Sequence, residues 1–251
     1  MNTTSTQRKA VVLDILMEES SVGVSDLARR LNVTPVTARA DLDALEKEGL
    51  LVRTHGGAVL GHHPKVFERM QANKTFKRRV ARAAADLIAD GDTVIISAGT
   101  TTALIARYLL GKRDVHVVTN NTLLISDARA NPQLRVTLIG GEFQPSEEGT
   151  VGPMALAALD QFHVSRAFIG IDGASAKQGF TAHFLESADL VRKMAEQADE
   201  VVAVADSGKF GKHGFARILP FDGVDVLVTD AEISAAFESE LTRAGVRVVK
   251  A

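Results

Sequence analysis

The sequence predicts an α/β protein in two parts, an N-terminal winged helix-turn-helix domain and a C-terminal domain built on a mostly parallel α/β sheet. A compact helical pattern that closes on a Gly-Gly turn occupies the first sixty residues. A Gly-His-His-Pro break follows, and beyond it apolar strands alternate with amphipathic helices, the pattern of a parallel sheet covered on both faces. We therefore place the domains at residues 1–60 and 76–251, with a linker at 61–75.

The composition limits the class of protein. The chain has 251 residues, 45% of them hydrophobic, which suits two domains with substantial cores. It contains no cysteine, which excludes disulfides and thiolate zinc sites, and its scattered histidines do not suggest a metal site. No signal sequence and no run of about 18 apolar residues is present, so we expect a cytoplasmic protein without membrane contact or cofactor. The net charge of −2 argues against a non-specific nucleic-acid coat but permits one basic face.

Three helices and a hairpin are predicted in the first domain. The third helix has the clearest limits, since Thr34 suits its N-cap, Pro35 suits its first turn, and Gly49 suits its C-cap. The Gly56-Gly57 pair forms the turn of the hairpin. The predicted elements are helices at 8–19, 25–31 and 34–48 and strands at 50–53 and 58–60.

This arrangement is typical of DNA-binding proteins, because the second helix of the motif enters the major groove and its N-terminal residues reach the bases. Arg39 is the best reader of a base or phosphate, since its planar fork bonds guanine or phosphate bidentately. Val36 suits a thymine methyl, the threonine hydroxyls suit phosphates, and Arg53 and His55 suit close approach of the hairpin to the DNA backbone. The predicted DNA-binding residues are Thr34, Pro35, Val36, Thr37, Arg39, Ala40, Arg53, His55, Gly56 and Gly57. The alternative is a generic three-helix module on which Arg39 is merely exposed.

A basic segment follows between Lys65 and Arg82, where seven basic residues stand against one acidic residue. The segment is either a solvated linker and helix face or a surface that faces phosphates. The basic residues are Lys65, Arg69, Lys74, Lys77, Arg78, Arg79 and Arg82.

The motifs of the first domain resemble the DeoR family of bacterial sugar-operon regulators. Residues 33–42 read VTPVTARADL where the family has V-S-x-x-T-I-R-R-D-L, and residues 45–58 end in the family's His-Gly-Gly-Ala. Ala38 replaces a larger aliphatic residue, and Ala40 replaces the second arginine of the pair. The resemblance implies sequence-specific binding of double-stranded operator DNA, and because half-site spacing mirrors protein symmetry we expect a homo-oligomer, either a dimer or a tetramer.

The second domain alternates helices and strands. The predicted helices lie at 80–89, 101–110, 122–130, 154–161 and 187–197. The predicted strands lie at 92–97, 115–119, 134–139, 165–171, 201–205, 224–229 and 246–249.

Polar residues follow several of these strands. The turn at residues 99–101 is a Gly/Thr strand-to-helix turn, and the backbone N–H groups and dipole at such a turn favour an anion. Because the carboxyl ends of parallel strands meet at one edge of a sheet, these turns are expected to line one crevice. Turns require Gly, Asn and Asp in any case, so their joint placement carries the inference. A flap at residues 142–149 is the predicted determinant of ligand choice.

The resemblance to the DeoR family continues through this domain. The matching runs are Asp90-Gly91-Asp92, Ala98-Gly99-Thr100-Thr101, Thr119-Asn120-Asn121, Gly140-Gly141-Glu142, Gly170-Ile171-Asp172-Gly173, Gly179-Phe180-Thr181 and Asp206-Ser207-Gly208-Lys209-Phe210-Gly211, with Glu186 and Lys193. The resemblance implies a domain similar to ribose-5-phosphate isomerase that binds phosphorylated sugars or related metabolites.

The same resemblance implies phosphate at residues 99–101, with Asp172, Glu186, Lys193 and Lys209 around the sugar. Glu186 and Lys193 are seven apart and share a helix face. The predicted effector-binding residues are Ser97, Gly99, Thr100, Thr101, Thr119, Asn120, Asn121, Gly141, Asp172, Glu186, Lys193, Asp206 and Lys209. Ser97 stands where many relatives have aspartate, a change expected to alter the sugar hydroxyls that are recognised.

The favoured interpretation is a transcriptional repressor of a sugar-metabolism operon, released by a phosphorylated sugar, and not an enzyme. One alternative is a phosphosugar isomerase fused to a DNA-binding domain, with Asp172 or Glu186 as base and Lys193 or Lys209 as its electrostatic partner. The other is a regulator whose ligand activates it.

Overall fold

The computed structural model describes residues 4–251, and the chain divides into two compact units, Met1–Arg69 and Met70–Ala251. The helices are α1 Ser5–Glu19, α2 Val24–Leu31, α3 Pro35–Lys47, α4 Pro64–Gln71, α5 Lys74–Asp86, α6 Ile105–Tyr108, α7 Leu124–Ala128, α8 Pro153–Leu159, α9 Leu185–Glu196 and α10 Ala235–Arg243. The strands are β1 Ser21–Gly23, β2 Leu51–Thr54, β3 Gly57–Leu60, β4 Thr93–Ile96, β5 Val115–Thr119, β6 Leu134–Leu138, β7 Glu142–Gln144, β8 Gly149–Val151, β9 Val164–Gly170, β10 Gly173–Ser175, β11 Gly179–Ala182, β12 Ala198–Val204, β13 Ala216–Leu219, β14 Val226–Thr229 and β15 Arg247–Lys250.

The N-terminal unit packs α1, α2 and α3 against a three-stranded sheet of order β1-β3-β2. Its core is aliphatic and includes Val12, Leu16, Leu27, Leu42 and Leu45. The three predicted helices and the hairpin are all present. Strand β1 was not predicted, because three residues carry no periodicity and form a strand only by pairing with β3. The unit is a winged helix-turn-helix, as the sequence predicts.

The second unit is built on a seven-stranded sheet of order β15-β14-β12-β9-β4-β5-β6, in which every pair is parallel. Register aligns the carboxyl ends of the central strands, since Ile96 pairs with Thr119 on one side and Phe168 on the other. One face packs on α8, α9 and α10, and the other on α5, α6 and α7. This confirms the predicted parallel sheet with helices on both faces.

Smaller elements depart from the prediction. Residues 61–75, where a linker was expected, contain α4 and the start of α5, so α5 begins six residues before the predicted start at Val80. The helix predicted at 101–110 is a 3-10 turn at Thr102–Leu104 followed by the short α6. Strands β7, β8, β10, β11 and β13 were not predicted, because segments of three or four residues carry too little periodicity. Helix α10 was not predicted either. No helix within residues 4–251 is long and apolar enough to cross a bilayer.

Candidate DNA-binding and effector sites

Helix α3 begins with the cap that its sequence predicts. The Thr34 hydroxyl accepts a hydrogen bond from the Thr37 backbone N–H at 3.2 Å, and the two hydroxyl oxygens lie 3.0 Å apart. Pro35 occupies the first helical position, where its missing N–H has no consequence. Thr34, Pro35 and Thr37 therefore set where the helix starts, and the two hydroxyls are engaged with each other.

The exposed face of α3 carries three of the predicted DNA-binding side chains. Val36 is 72% exposed, and Arg39 and Ala40 are exposed beside it. Within the described part of the chain, the Arg39 guanidinium makes no hydrogen bond or ion pair. An exposed apolar side chain next to an uncommitted planar cation suits a groove that presents thymine methyls and guanine acceptors.

The opposite face of α3 is fixed to α1 by an ion pair that the sequence did not indicate. Arg8 Nε donates to Asp41 Oδ2 at 2.7 Å, and its Nη2 donates to Asp41 Oδ1 at 3.1 Å. The Asp41 residue is only 4% exposed. A bidentate pair of this kind fixes geometry, so it sets the angle at which α3 presents Arg39.

The two wing glycines are required by the fold. Gly56 has φ of +97°, which favours glycine in the turn, and His55 is exposed beside it. A Cβ on Gly57 would lie 2.3 Å from the Val22 carbonyl oxygen, because β1 pairs closely with β3 at this point. Gly56 and Gly57 thus shape the wing, and His55 is the side chain at its tip.

Arg53 was predicted to contact DNA, but in the structure its side chain bonds other residues of the N-terminal unit. Its Nε donates to the Gly57 carbonyl oxygen at 3.1 Å, and its guanidinium pairs with Asp43 of α3. Its backbone N–H donates to Glu46 Oε1 at 2.9 Å. These bonds tie the wing to α3, so Arg53 is a positioning residue in this structure.

In the second unit, the loop after β4 is shaped by glycine and by internal hydrogen bonds. Gly99 has φ of +148°, and a Cβ there would lie 2.8 Å from Thr102 Oγ1. Thr102 Oγ1 donates to the Ser97 carbonyl oxygen at 2.8 Å. This conformation leads the chain into Thr100 and Thr101 and then into the 3-10 turn.

The Thr-Asn-Asn segment after β5 lies against this loop. Asn120 Oδ1 accepts from the Ala98 N–H at 2.7 Å, and Asn121 Nδ2 donates to the Gly99 carbonyl oxygen at 3.0 Å. Thr119 Oγ1 donates to the Ile96 carbonyl oxygen at 2.6 Å. All three predicted effector residues are buried with their polar atoms engaged, so they hold the loop in shape.

Ser97 has a comparable internal role. Its residue is fully buried, and its Oγ accepts from the Gly170 N–H at 2.8 Å, which joins the ends of β4 and β9. Gly141 also serves the fold, since it has φ of +153° and a Cβ there would lie 2.6 Å from the Val151 carbonyl oxygen. The expectation that Ser97 selects among sugar hydroxyls does not fit this placement.

A buried lysine lies beside the Gly/Thr loop. Lys77 of α5 is only 5% exposed, and its Nζ donates to Thr100 Oγ1 at 3.1 Å. The sequence indicated Lys77 only as one charge of the basic segment. The structure instead places a cation where the turn already favours an anion.

The residues that follow β9 and β12 include two aspartates and a lysine from the predicted effector site. Asp172, after β9, accepts from the His183 N–H at 2.9 Å through Oδ2, and Lys209 Nζ lies 3.8 Å from its Oδ1. Asp206, after β12, is only 2% exposed and accepts from Asn73 Nδ2 at 2.8 Å and from the Gly208 N–H at 3.2 Å. Asp172 and Lys209 are partly accessible to a ligand, whereas Asp206 is engaged internally.

Glu186 and Lys193 share α9 but lie at different ends of it. Glu186 is exposed in the first turn, whereas Lys193 is in the last turn, just before β12 begins beside the start of β9. Lys193 Nζ pairs with Asp160 Oδ1 at 2.5 Å and with Glu196, and the hydrogen bond that Lys193 donates to Asp160 raises the pKa of Lys193. Seven residues of helix span about 10 Å, so Lys193 lies toward the amino ends of the strands, apart from Glu186. Its predicted place around the sugar stays a prediction that this position does not favour.

The hairpin β7-β8 occupies the predicted flap. The Glu148 carbonyl oxygen accepts from the Thr122 hydroxyl at 2.8 Å, and Asn120 Nδ2 donates to the Thr150 carbonyl oxygen at 2.8 Å. The hairpin base is thereby attached to the segment that follows β5.

A separate groove of about 550 Å³ beside β10, β11 and β13 contains none of the predicted effector residues. No group of three or more metal-ligating side chains occurs within residues 4–251.

Comparison with known proteins assigns both units. Residues 8–63 match the model of the DeoR-like helix-turn-helix domain, and residues 72–231 match that of the DeoR C terminal sensor domain. The chain belongs to the DeoR family. It is therefore a DNA-binding transcriptional regulator and not an enzyme.

Individual DeoR-family proteins are similar over nearly the whole chain. The HTH-type transcriptional repressor GlcR of Bacillus subtilis is 33% identical over 250 residues, 97% of this chain and 95% of GlcR. The glycerol-3-phosphate regulon repressor of Escherichia coli K12 is 28% identical and covers 90% of this chain and 91% of its own. The ribose 5-phosphate isomerase A structure from Methanocaldococcus jannaschii aligns over 55% of each chain at 19% identity, with a TM-score of 0.40.

The two departures from the DeoR-family helix motif have different consequences. Ala38 is fully buried in the N-terminal core, so its small side chain affects packing within the unit. Ala40 is exposed next to Arg39, so the surface of α3 carries one cation where the family pattern has two.

Proposed function

We propose that this DeoR-family regulator is a cytoplasmic repressor of a sugar-metabolism operon, and that a phosphorylated sugar releases it from double-stranded operator DNA. Support comes from the family assignment and from relatives that are named repressors, one of them for a glycerol-3-phosphate regulon. The single observation that carries the effector assignment is the buried Lys77 beside the Gly/Thr loop.

The phosphate subsite consists of residues 99–101 and Lys77. The backbone of the loop is held open by Gly99 and braced by Asn120 and Asn121, so its N–H groups need little rearrangement to bind an anion. Lys77 supplies a charge within reach of the same loop. A buried cation with a preorganised turn favours phosphate over a neutral sugar hydroxyl.

Sugar hydroxyls are assigned to the second pair of strand ends. Asp172 and Lys209 present an acceptor and a donor that are 3.8 Å apart, and Glu186 adds an exposed carboxylate from α9. The β7-β8 hairpin is assigned the choice of carbon skeleton. Equal affinity for the effector after its replacement by a Gly/Ser loop would contradict this last assignment.

On the DNA side, Val36, Arg39, Ala40 and His55 form the contact surface, while Thr34, Pro35, Thr37, Arg53, Gly56 and Gly57 shape it. The protein is assigned a homo-oligomeric state, a dimer or a tetramer, because paired recognition helices match paired half-sites. Effector binding then favours a state in which the helices no longer fit the operator. A shift of that equilibrium from 1:99 to 99:1 requires about 5.5 kcal/mol of differential binding.

The test is operator binding by the purified protein at fixed salt, because phosphate contacts make the affinity strongly salt-dependent. The duplex is the DNA upstream of the protein's own gene, titrated with glucose 6-phosphate, fructose 1-phosphate, ribose 5-phosphate and glycerol 3-phosphate. The matched controls are the corresponding unphosphorylated compounds. Release by one phosphorylated compound alone supports the proposal. Tighter binding in its presence would instead indicate a ligand-dependent activator or a corepressed repressor, and consumption of the compound would indicate an enzyme.

A further inference from the structure

The Asp206 carboxylate accepts hydrogen bonds from two segments that are distant in the sequence. Asp206 is only 2% exposed, and it caps the 3-10 turn Ser207–Lys209 by accepting from the Gly208 N–H at 3.2 Å. The same oxygen, Oδ1, accepts from Asn73 Nδ2 at 2.8 Å. The carboxylate therefore joins the loop that contains Lys209 to a residue 133 positions earlier in the chain.

Asn73 lies at the junction between α4 and α5. It has φ of +54°, the left-handed conformation that Asn adopts more readily than most residues. Although it occupies the N-cap position of α5, its side chain makes no capping bond and is directed to Asp206 instead. An asparagine at an N-cap normally bonds the backbone of its own helix. The contact with Asp206 has replaced that bond.

The start of α5 has a second bond to the candidate effector site. Lys77 lies four residues, about one turn, after Asn73, and its Nζ donates to Thr100 Oγ1 at 3.1 Å. The two loops that follow β4 and β12 are thus both bonded to the first turn of one helix. A ligand that draws these loops together acts on that turn through two hydrogen bonds.

The same turn adjoins the connection to the N-terminal unit. Helix α4 ends at Gln71 and α5 begins at Lys74, so only two residues separate them. The division between the two compact units falls within α4, between Arg69 and Met70. A change of backbone conformation at Asn73 therefore acts on the segment through which the chain connects to the DNA-binding unit.

We propose that the Asn73–Asp206 hydrogen bond couples effector binding to operator affinity, with both residues in a positioning role and neither in contact with ligand or DNA. The inference rests on the proposed function. Effector binding at the loop of residues 206–209 changes the bond, the bond controls the left-handed conformation of Asn73, and that conformation sets the junction between α4 and α5. Coupling between distant sites requires an element of this kind, whose equilibrium both ligands bias.

The test compares Asn73→Gly and Asn73→Asp with wild-type protein. Glycine keeps the left-handed conformation accessible but removes the amide, and aspartate keeps the side-chain size but places a carboxylate opposite Asp206. Asp114→Gly is the matched control, because Asp114 also has a left-handed φ, of +57°, but precedes β5 at the amino end of the sheet. Each protein is assayed by calorimetry for binding of the four phosphorylated compounds named above. It is also assayed for binding of its upstream duplex with and without them.

In wild type and in Asp114→Gly, the effective sugar phosphate is expected to weaken operator binding by about 5- to 150-fold, the usual range of allosteric coupling. In both Asn73 variants the ratio of operator affinity without and with the sugar phosphate is expected to fall toward one. Sugar phosphate affinity and operator affinity alone should change by less than about threefold, since Asn73 is exposed. If the sugar phosphate weakens operator binding by the wild-type factor in either folded variant, the inference is overturned and the proposed function is left intact. Loss of sugar phosphate binding itself would also overturn the inference, since Asn73 would then belong to the binding site. If wild type binds the duplex but responds to no sugar phosphate, both the proposed function and the inference are contradicted.

Discussion

Replacement of Lys77 by methionine is the sharpest perturbation of the candidate phosphate subsite. Methionine fills a similar volume without the ammonium group, whose Nζ lies 3.1 Å from Thr100 Oγ1. Because Lys77 is only 5% exposed, the side chain that replaces it has to fill the same buried space. The variant therefore removes a charge from the subsite with little change in shape.

The size of the effect follows from the kind of bond that is lost. A hydrogen bond to a charged group contributes about 1.5–3 kcal/mol. Since each 1.4 kcal/mol changes an equilibrium about tenfold, we expect the Lys77→Met protein to bind its sugar phosphate about 10- to 150-fold more weakly. The concentration of sugar phosphate needed to release the operator should rise by the same factor, while operator affinity without it is unchanged.

Calorimetry on the full-length protein measures the affinity, and Lys74→Met is the matched control. Lys74 opens the same helix and carries the same charge, but it is exposed. Urea unfolding followed by circular dichroism separates a loss of ligand contact from a loss of fold. Equal sugar phosphate affinity in wild type and in folded Lys77→Met would refute the assignment of Lys77 to the phosphate subsite.

Three further predictions concern the wing, the DNA-contacting helix and the sheet edge. Gly57→Ala should lower the free energy of unfolding by about 3 kcal/mol, because its Cβ would lie 2.3 Å from a backbone oxygen. The control Gly23→Ala, whose Cβ has its nearest contact at 3.9 Å, should change the free energy of unfolding little. Equal urea midpoints for the two variants would contradict this prediction. Arg39→Ala should weaken operator binding about 5- to 150-fold, the equivalent of about 1–3 kcal/mol, and the exposed Arg129→Ala should serve as a neutral control in the same mobility-shift assay. Burial, and secondarily the charge of Arg135, lowers the pKa of His116. Stability should therefore decline as the pH falls through about 6.5 toward that lowered value, and a His116→Gln protein with the same decline would refute the cause.

Much of the architecture was predictable because it depends on local sequence. Thr34 and Pro35 begin α3 as predicted, whereas its C-cap is Glu48 and Gly49, with φ of +70°, is the residue after it. These preferences act within one turn of helix. The alternation of apolar strands with helices likewise predicts a parallel sheet, because strands buried on both faces must be apolar throughout. Strand β1 and strand β13 could not be predicted in this way, since each is short and its pairing partner is distant in the chain.

In the candidate sites, the sequence gives the type of each residue, but the structure is needed to show what that residue contacts. Arg39 and Arg53 look alike in the sequence, but one is exposed and the other pairs with Asp43. Lys77 was detectable in principle, because it lies three residues before Val80 and seven before Ala84 and so shares their buried helix face. Only the structure shows that this face brings its ammonium group to Thr100.

The sequence by itself determined the family, the two domains, the order of helices and parallel strands, and the loops that carry polar residues to one edge of the sheet. Tertiary structure decided what each polar residue does there. Asn120, Asn121 and Ser97 use their hydrogen-bonding atoms on neighbouring backbone, Asp206 uses its carboxylate on Asn73, and Lys193 lies at the far end of α9. The physical reason is that residue type fixes which bonds a side chain is able to make, whereas burial and neighbours from distant parts of the chain fix which bonds it makes.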